Sequence, residues 1–188
     1  TFKLATKIQH YLEGLKLLTK KPILFLKDAT KAVLPEKVDV VINENIYTGI
    51  FFEKQVQIMR QMKKFLKKDG VTIPSGLRSY ILLADTTVSA HARGENLIVL
   101  MHEKGITTHE LSKPQEYDSV LFKSNTKKGV RAILKIPIIR TGTINSVLIY
   151  SEVLMPSGVV VGRNATEFLN NDIILTLPRA QSVKRGEV

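Results

Sequence analysis

Neither cysteine nor tryptophan occurs among the 188 residues. The first absence excludes disulfides, thiolate metal sites and a cysteine nucleophile. The second, with only 5 tyrosines and 7 phenylalanines, leaves little material for the aromatic platforms on which single-stranded nucleic acids stack. No apolar run approaches the ~20 residues of a membrane span, and no signal peptide opens the chain. A cytoplasmic, reducing setting without a membrane partner is the economical expectation. Metal spacing is missing too. The four histidines are His10, His91, His102 and His109, and "HEKGITTHE" (102–110) has neither the i, i+4 pair nor the context of a zinc helix. They read as surface or turn residues, with no metal site.

What is abundant is positive charge. The net charge is +11. Residues 1–74 carry 14 Lys+Arg against 7 Asp+Glu, a net +7, and residues 75–188 carry 14 against 10, a net +4. Such a balance favours acidic partners such as RNA, through counterion release. Lysine is equally a common solubilising surface residue, and "KKFLKK" (63–68) reads more simply as a solvated helix face than as a nucleic-acid patch. The length accommodates one large domain or two small ones.

Residues 1–74 have mixed periodicity. "LATKIQHYLEGLKLL" (4–18) puts Leu4, Ile8, Tyr11, Leu12, Leu15 and Leu18 on one helical stripe that ends before Pro22. "ILFL" (23–26) reads as a short, fully buried strand followed by Asp28 in a turn, and "VDVVI" (38–42) as a second strand. Strands apolar on both faces and separated by helices imply a parallel sheet covered on both sides. "KQVQIMRQMKKFLKK" (54–68) has helical spacing. It buries Val56, Met59, Met62, Phe65 and Leu66, with Gly70 as the expected left-handed cap and "VTIP" (71–74) as the next strand.

After Pro74 the pattern changes to short strand-like runs with turn signals between them. These are "SYILLADTTV", "NLIVLM", "SVLF", "GVRAILKIPII", "INSVLIYSEVLM", "GVVVG" and "DIILTL". "KSNTKKG" (123–129) reads as a hairpin loop and "MPSG" (155–158) as a turn. No helix is expected here, and the half reads as an antiparallel sandwich or barrel. The predicted organisation is therefore an α/β unit over 1–74 and a β-barrel-like domain over 75–188.

Between these elements stands "NENIYTGIFFE" (43–53), with Glu44 at a strand's end and Glu53 at a helix start, nine positions apart. "VDVVINENIYTGIFFE", the helix and "FLKKDGVTIP" together resemble the second half of a class I S-adenosylmethionine-dependent methyltransferase domain. They are most similar to the protein arginine methyltransferases. "GTINSVLIYSEVLMPSGVVVG" and "VKRGEV" are similar to the β-barrel that follows that fold, so the resemblance runs from about Ile23 to the end.

The resemblance implies a partial Rossmann-like sheet, S-adenosylmethionine as cofactor and a methyl-acceptor protein or RNA as partner, with the barrel as a substrate or homodimer surface. It implies Glu44 and Glu53 as a catalytic clamp on a cationic acceptor, since two carboxylates grip a guanidinium through charge-assisted, bidentate bonds. Asp28 and Ala29 would meet the cofactor's adenine. Each role has a plainer counterpart. Glu53 is favourable at a helix start through the macrodipole, Glu44 could cap a loop, Asp28 could be an ordinary turn former, and Tyr47 could simply pack.

The chain also departs from the family. The glycine-rich cofactor turn and the ribose carboxylate are missing, as if roughly the first third of a cofactor fold were absent. This chain alone is accordingly expected to bind cofactor poorly. Asn45 and Ile46 stand where the family has tryptophan and methionine, and Thr166-Glu167-Phe168 where it has Thr-His-Trp. An RNA or nucleic-acid methylase and a non-catalytic interaction module stay open as alternatives.

Overall fold

The first sheet forms because "VDVVI" and "VTI" are β-branched runs that pair in parallel. In the computed structural model, β1 spans Val38–Ile42 and β2 spans Leu66–Ile73. Val40, Val41 and Ile42 face Val71, Thr72 and Ile73 in register. Between them run a 3-10 turn at Thr48–Ile50, helix α1 at Gln55–Met62 and a 3-10 turn at Lys63–Phe65. The structure describes residues 11, 14, 23–50, 54–87, 98–100, 106–124, 131–163, 165 and 172–188. The helix expected over 4–18 thus lies almost wholly outside them.

Two expectations for this half need correction. "ILFL" is not a buried strand: Ile23 is 70% exposed and Leu26 56%, and the segment pairs with nothing among the described residues. Apolar composition cannot replace a ladder partner. Nor do the described residues cover the sheet on both faces. Val41 is buried whereas Val40, Ile42 and Val71 are exposed.

The helix is also shorter than its periodicity suggested. Leu66 takes an extended conformation (φ −74°, ψ 135°) and pairs with Val38, so strand pairing overrides the helical propensity of the lysine-rich run. Between Val38↔Leu66 and Val40↔Val71, β1 has one residue and β2 has four, which makes a bulge. Gly70 sits in that bulge rather than capping a helix. A Cβ there would lie 2.8 Å from the Asp39 carbonyl oxygen and 2.8 Å from Leu66 Cδ1. The glycine permits close approach, and its φ is not positive.

The second sheet is antiparallel and has seven strands. They are β3 (Gly76–Thr87), β4 (Ile98–Leu100), β5 (Thr107–Glu110), β6 (Gln115–Leu121), β7 (Gly142–Leu154), β8 (Val160–Val161) and β9 (Ile173–Val183). The order is β4-β9-β7-β3-β5, with β6 also on β3 and β8 on β7. Among the described residues the sheet is open, with β4 at one end and β5 with β6 at the other. "MPSG" makes the β7–β8 turn, where the Met155 N–H bonds the Val159 carbonyl at 2.9 Å and Gly158 has φ 80°. "GVRAILKIPII" is not a strand. Residues 131–139 form a single bridge, Ile138 to Ser112, and Ile133 is 94% exposed. Conversely, β5 ("TTHE") went unrecognised because its side chains carry no apolar alternation. Of the hairpin loop expected at 123–129, residues 125–130 lie outside the described residues.

β3 and β7 read as near-continuous apolar runs because both of their faces are buried. One face carries Leu82, Ala84, Leu148 and Tyr150, clustered with Ile174 of β9. The other carries Leu77 and Val153, which pack with Val120 and Phe122 against Val41, Val56, Met59 and Leu66. The chain changes sheet at the cis Ile73–Pro74 bond, yet this last cluster draws on residues from both sides of it.

Candidate functional site

The Asn43 N–H still reaches the Ile73 carbonyl at 2.8 Å, so sheet bonding continues to the residue before Glu44. Glu44 then leaves the sheet and stands exposed, its carbonyl accepting the Ile46 N–H at 2.7 Å. The C-terminal end of a parallel strand is where α/β sheets present ligand-binding groups. Glu53, its expected partner in the clamp, lies outside the described residues.

The loop between them is tethered at its midpoint. Gly49 has φ 68° and ψ 0°, a left-handed conformation that glycine adopts without a Cβ penalty. Its N–H donates to Ser151 Oγ at 3.0 Å, and its carbonyl accepts from the Tyr117 hydroxyl at 3.4 Å. Ser151 Oγ lies 2.8 Å from Ser79 Oγ, and both serines are wholly buried. At the loop's far end Gln55 Nε2 donates to the Tyr47 carbonyl at 3.0 Å. Tyr47 is half-buried and Thr48 buried.

Sequence reasoning missed this grip, although a signal existed. Residues of one parity along a strand share a face. On β3 that row runs Leu77, Ser79, Ile81, and on β7 it runs Ile149, Ser151, Val153. One serine interrupts each apolar row, and the register sets Ser79 directly opposite Ser151.

Two buried side-chain atoms flanking the loop have no protein partner, Asn43 Nδ2 and Gln55 Oε1. Buried polar atoms normally find a partner, so these amides are groups that a small molecule at the strand end could engage.

Asp28 sits in an exposed turn, where its Oδ1 accepts from the Thr30 hydroxyl at 2.7 Å and the Thr30 N–H at 2.9 Å. These bonds, the hydroxyl's foremost, hold the carboxyl below its ordinary range. The turn-forming role is thus observed, and Oδ2 lies outside both bonds. Ala29 is exposed beside it.

The remaining candidates are soon located. Lys63 donates to the Ser124 carbonyl at 2.9 Å, Lys64 to Gln61 Oε1 at 2.8 Å, and Lys67 to both Asp39 oxygens at 2.9 Å. The lysines of "KKFLKK" are exposed as expected, but they divide between the 3-10 turn (Lys63, Lys64) and β2 (Lys67, Lys68) and do not form one helix face. His109 is exposed on β5. His10, His91, His102 and Thr166-Glu167-Phe168 lie outside the described residues.

On the sheet's other face, Arg163 bridges Asp172 and Glu110. Its guanidinium lies 5.2 Å from the Tyr150 ring centre, and Tyr150 stacks on Tyr80 at 5.0 Å. The charges in this cluster pair with one another, which suits a structural role.

Burial pushes the Tyr117 phenol up to about 12 from an ordinary 10.0. Between those values an unfolded chain releases this proton while the folded one keeps it. Its contribution to stability is therefore intact below pH 10 and lost as pH rises toward 12. Urea unfolding across that window should show stability falling with pH, and Tyr117→Phe should flatten the fall. An unchanged slope would remove Tyr117 as its source.

No family model matches the chain. An uncharacterised protein of Methanothermobacter thermautotrophicus is 26% identical over 150 residues, which is 80% of this chain and 54% of that protein. Among solved structures, the Trypanosoma brucei PRMT1 enzyme–prozyme heterotetrameric complex with AdoHcy superposes with a TM-score of 0.71 at 10% identity. The match covers 97% of this chain and 65% of that one. The open conformation of Arabidopsis thaliana protein arginine methyltransferase 10 gives 0.65 at 10% identity, over 84% of this chain and 60% of that one. The chain thus spans about half the Methanothermobacter relative and less than two thirds of either structure's chain. The fold is methyltransferase-like, of the kind found in the protein arginine methyltransferases.

Proposed function

We propose that the protein is an S-adenosylmethionine-dependent methyltransferase acting on a cationic acceptor, an arginine side chain foremost. One observation carries this reading: an arginine-methyltransferase-like fold with an exposed glutamate where β1 ends. Glu44 and Glu53 would grip the guanidinium from two sides. They would also draw its positive charge away from the attacking nitrogen. Such chemistry needs an in-line nucleophile more than acid or base help, so positioning carries most of the catalysis.

When bound, S-adenosylmethionine supplies an electrophilic methyl group on its sulfonium. The Asp28 carboxylate, with the Ala29 backbone amide, would meet the adenine, and Asn43 Nδ2 and Gln55 Oε1 are unpartnered polar atoms at the two ends of the loop. Residues 1–74 would be the chain's share of the cofactor domain, and residues 75–188 a substrate and dimerisation domain. The heterotetrameric assembly named for the trypanosome protein supports an oligomer here as well.

The second reading, an RNA acceptor, is favoured by the net charge of +11. The test is transfer of a labelled methyl group by the intact protein to an arginine-rich peptide, its lysine counterpart and an unstructured RNA. Label on the arginine peptide alone is expected. Label on RNA alone would transfer the assignment to the second reading. Failure to label any acceptor or to bind S-adenosylhomocysteine would leave the interaction-module reading in possession.

A further inference from the structure

We infer that Ser151 is a positioning residue for the glutamate loop: through its hydroxyl, the antiparallel sheet sets where the middle of residues 44–53 sits. The inference rests on the proposed clamp, and its geometry is already in hand. The loop's two ends belong to the α/β half, one fixed by the Asn43–Ile73 bond at 2.8 Å and the other by the start of α1 at Gln55. A single 3-10 turn at Thr48–Ile50 cannot hold itself in place. A long-range hold lies at Gly49, whose N–H is taken by Ser151 at 3.0 Å, 102 positions away in sequence. Gly49 lies five residues from Glu44 in sequence, so a shift there moves the segment that carries that carboxylate.

Chemistry explains why a serine stands at this point. The next residue of its row on β7, Val153, packs into the core shared with α1. Alanine would fill the space but leave the Gly49 N–H buried without an acceptor, which costs more than the hydrogen bond contributes net. Ser79 keeps Ser151 in place, since their Oγ atoms lie 2.8 Å apart in a wholly buried pair. Whichever of the two hydroxyls donates, Ser151 turns a lone pair toward the Gly49 N–H. The Tyr117 hydroxyl completes the grip on the Gly49 carbonyl. The second sheet therefore holds the loop backbone at Gly49 through two of its side-chain hydroxyls, those of Ser151 and Tyr117.

The test uses the intact protein with Ser151→Ala, Ser151→Thr and Val153→Ala. Val153 is a buried neighbour on the same face of β7. Its truncation is a control for lost stability alone. Two readouts are taken, amide hydrogen exchange by peptide and methyl transfer with kcat and KM separated.

Ser151→Ala should speed exchange over residues 44–53 by about tenfold, with α1 and β3 little changed. It should lower kcat by roughly 10- to 100-fold at a cofactor KM within about twofold, as expected when reacting groups shift by ~1 Å. Ser151→Thr, which keeps the hydroxyl, should recover most of the rate. Val153→Ala should lower the melting temperature while leaving kcat near that of the wild type.

A wild-type kcat in Ser151→Ala, or exchange rising equally in α1, β3 and the loop, would overturn the inference. So would a loss of kcat in Val153→Ala matching that in Ser151→Ala. If the wild-type protein transfers no methyl group at all, the proposed function falls, and the exchange measurement alone decides whether Ser151 holds the loop.

Discussion

Glu44→Gln in the intact protein is expected to slow methyl transfer by about two decades or more while leaving affinity for S-adenosylmethionine within about twofold. The size follows from charge. A guanidinium gripped by two carboxylates and then moved out of water is left half-paired when one becomes an amide, at a cost of several kcal/mol. The amide keeps the shape, so the loss is electrostatic. Glu44 is exposed, which makes the experiment clean, since substitutions at exposed positions usually change stability by no more than about 0.5 kcal/mol. Glu53→Gln is expected to behave alike, and the two losses should be far from additive, because either change alone disables the pair. Full activity in Glu44→Gln would reduce the paired glutamates to coincidence. A parallel collapse of cofactor affinity would instead make Glu44 part of the cofactor's own site.

The sequence was most legible where one signal dominated. "VDVVI" became β1 with its stated limits, and "MPSG" turned where it should. The long runs in β3 and β7 were visible because two buried faces remove the need for alternation. Misreadings arose where a distant partner decides the outcome. Leu66 had a helical position by periodicity and lost it to Val38. Gly70 looked like a helix cap, but the Asp39 carbonyl and Leu66 leave no room there for a side chain. Ile23–Leu26 had strand composition but join no strand among the described residues.

At the candidate site, Glu44 stood out as a charge at a strand's end, and it is exposed just beyond β1. Ser79 and Ser151 were passed over because a lone serine in an apolar run reads as a blemish until register sets two of them face to face. Such information is non-local. No window of ten or twenty residues contains it.

The same non-local packing yields the larger stability prediction. Met59 on α1 is wholly buried and packs in one cluster with Leu77, Val120, Phe122 and Val153 of the second sheet. If residues 1–74 and 75–188 were thermodynamically independent, each would melt by itself and Met59→Ala would affect only the first. The shared cluster argues otherwise. Losing a buried methionine side chain costs about 2–5 kcal/mol, because the cavity refills only in part. For a chain of this size that lowers the midpoint by roughly 2–4 °C per kcal/mol, or about 4–20 °C in all. Calorimetry should show one transition, and Met59→Ala should move the whole of it. Leu82→Ala, in the cluster on the far face of the second sheet, should shift the same transition by a similar amount, although Leu82 lies remote from α1. Two transitions, with Met59→Ala lowering one and Leu82→Ala the other, would mean that the sheet change at Pro74 is a true domain boundary and that the cluster between the halves is mere contact.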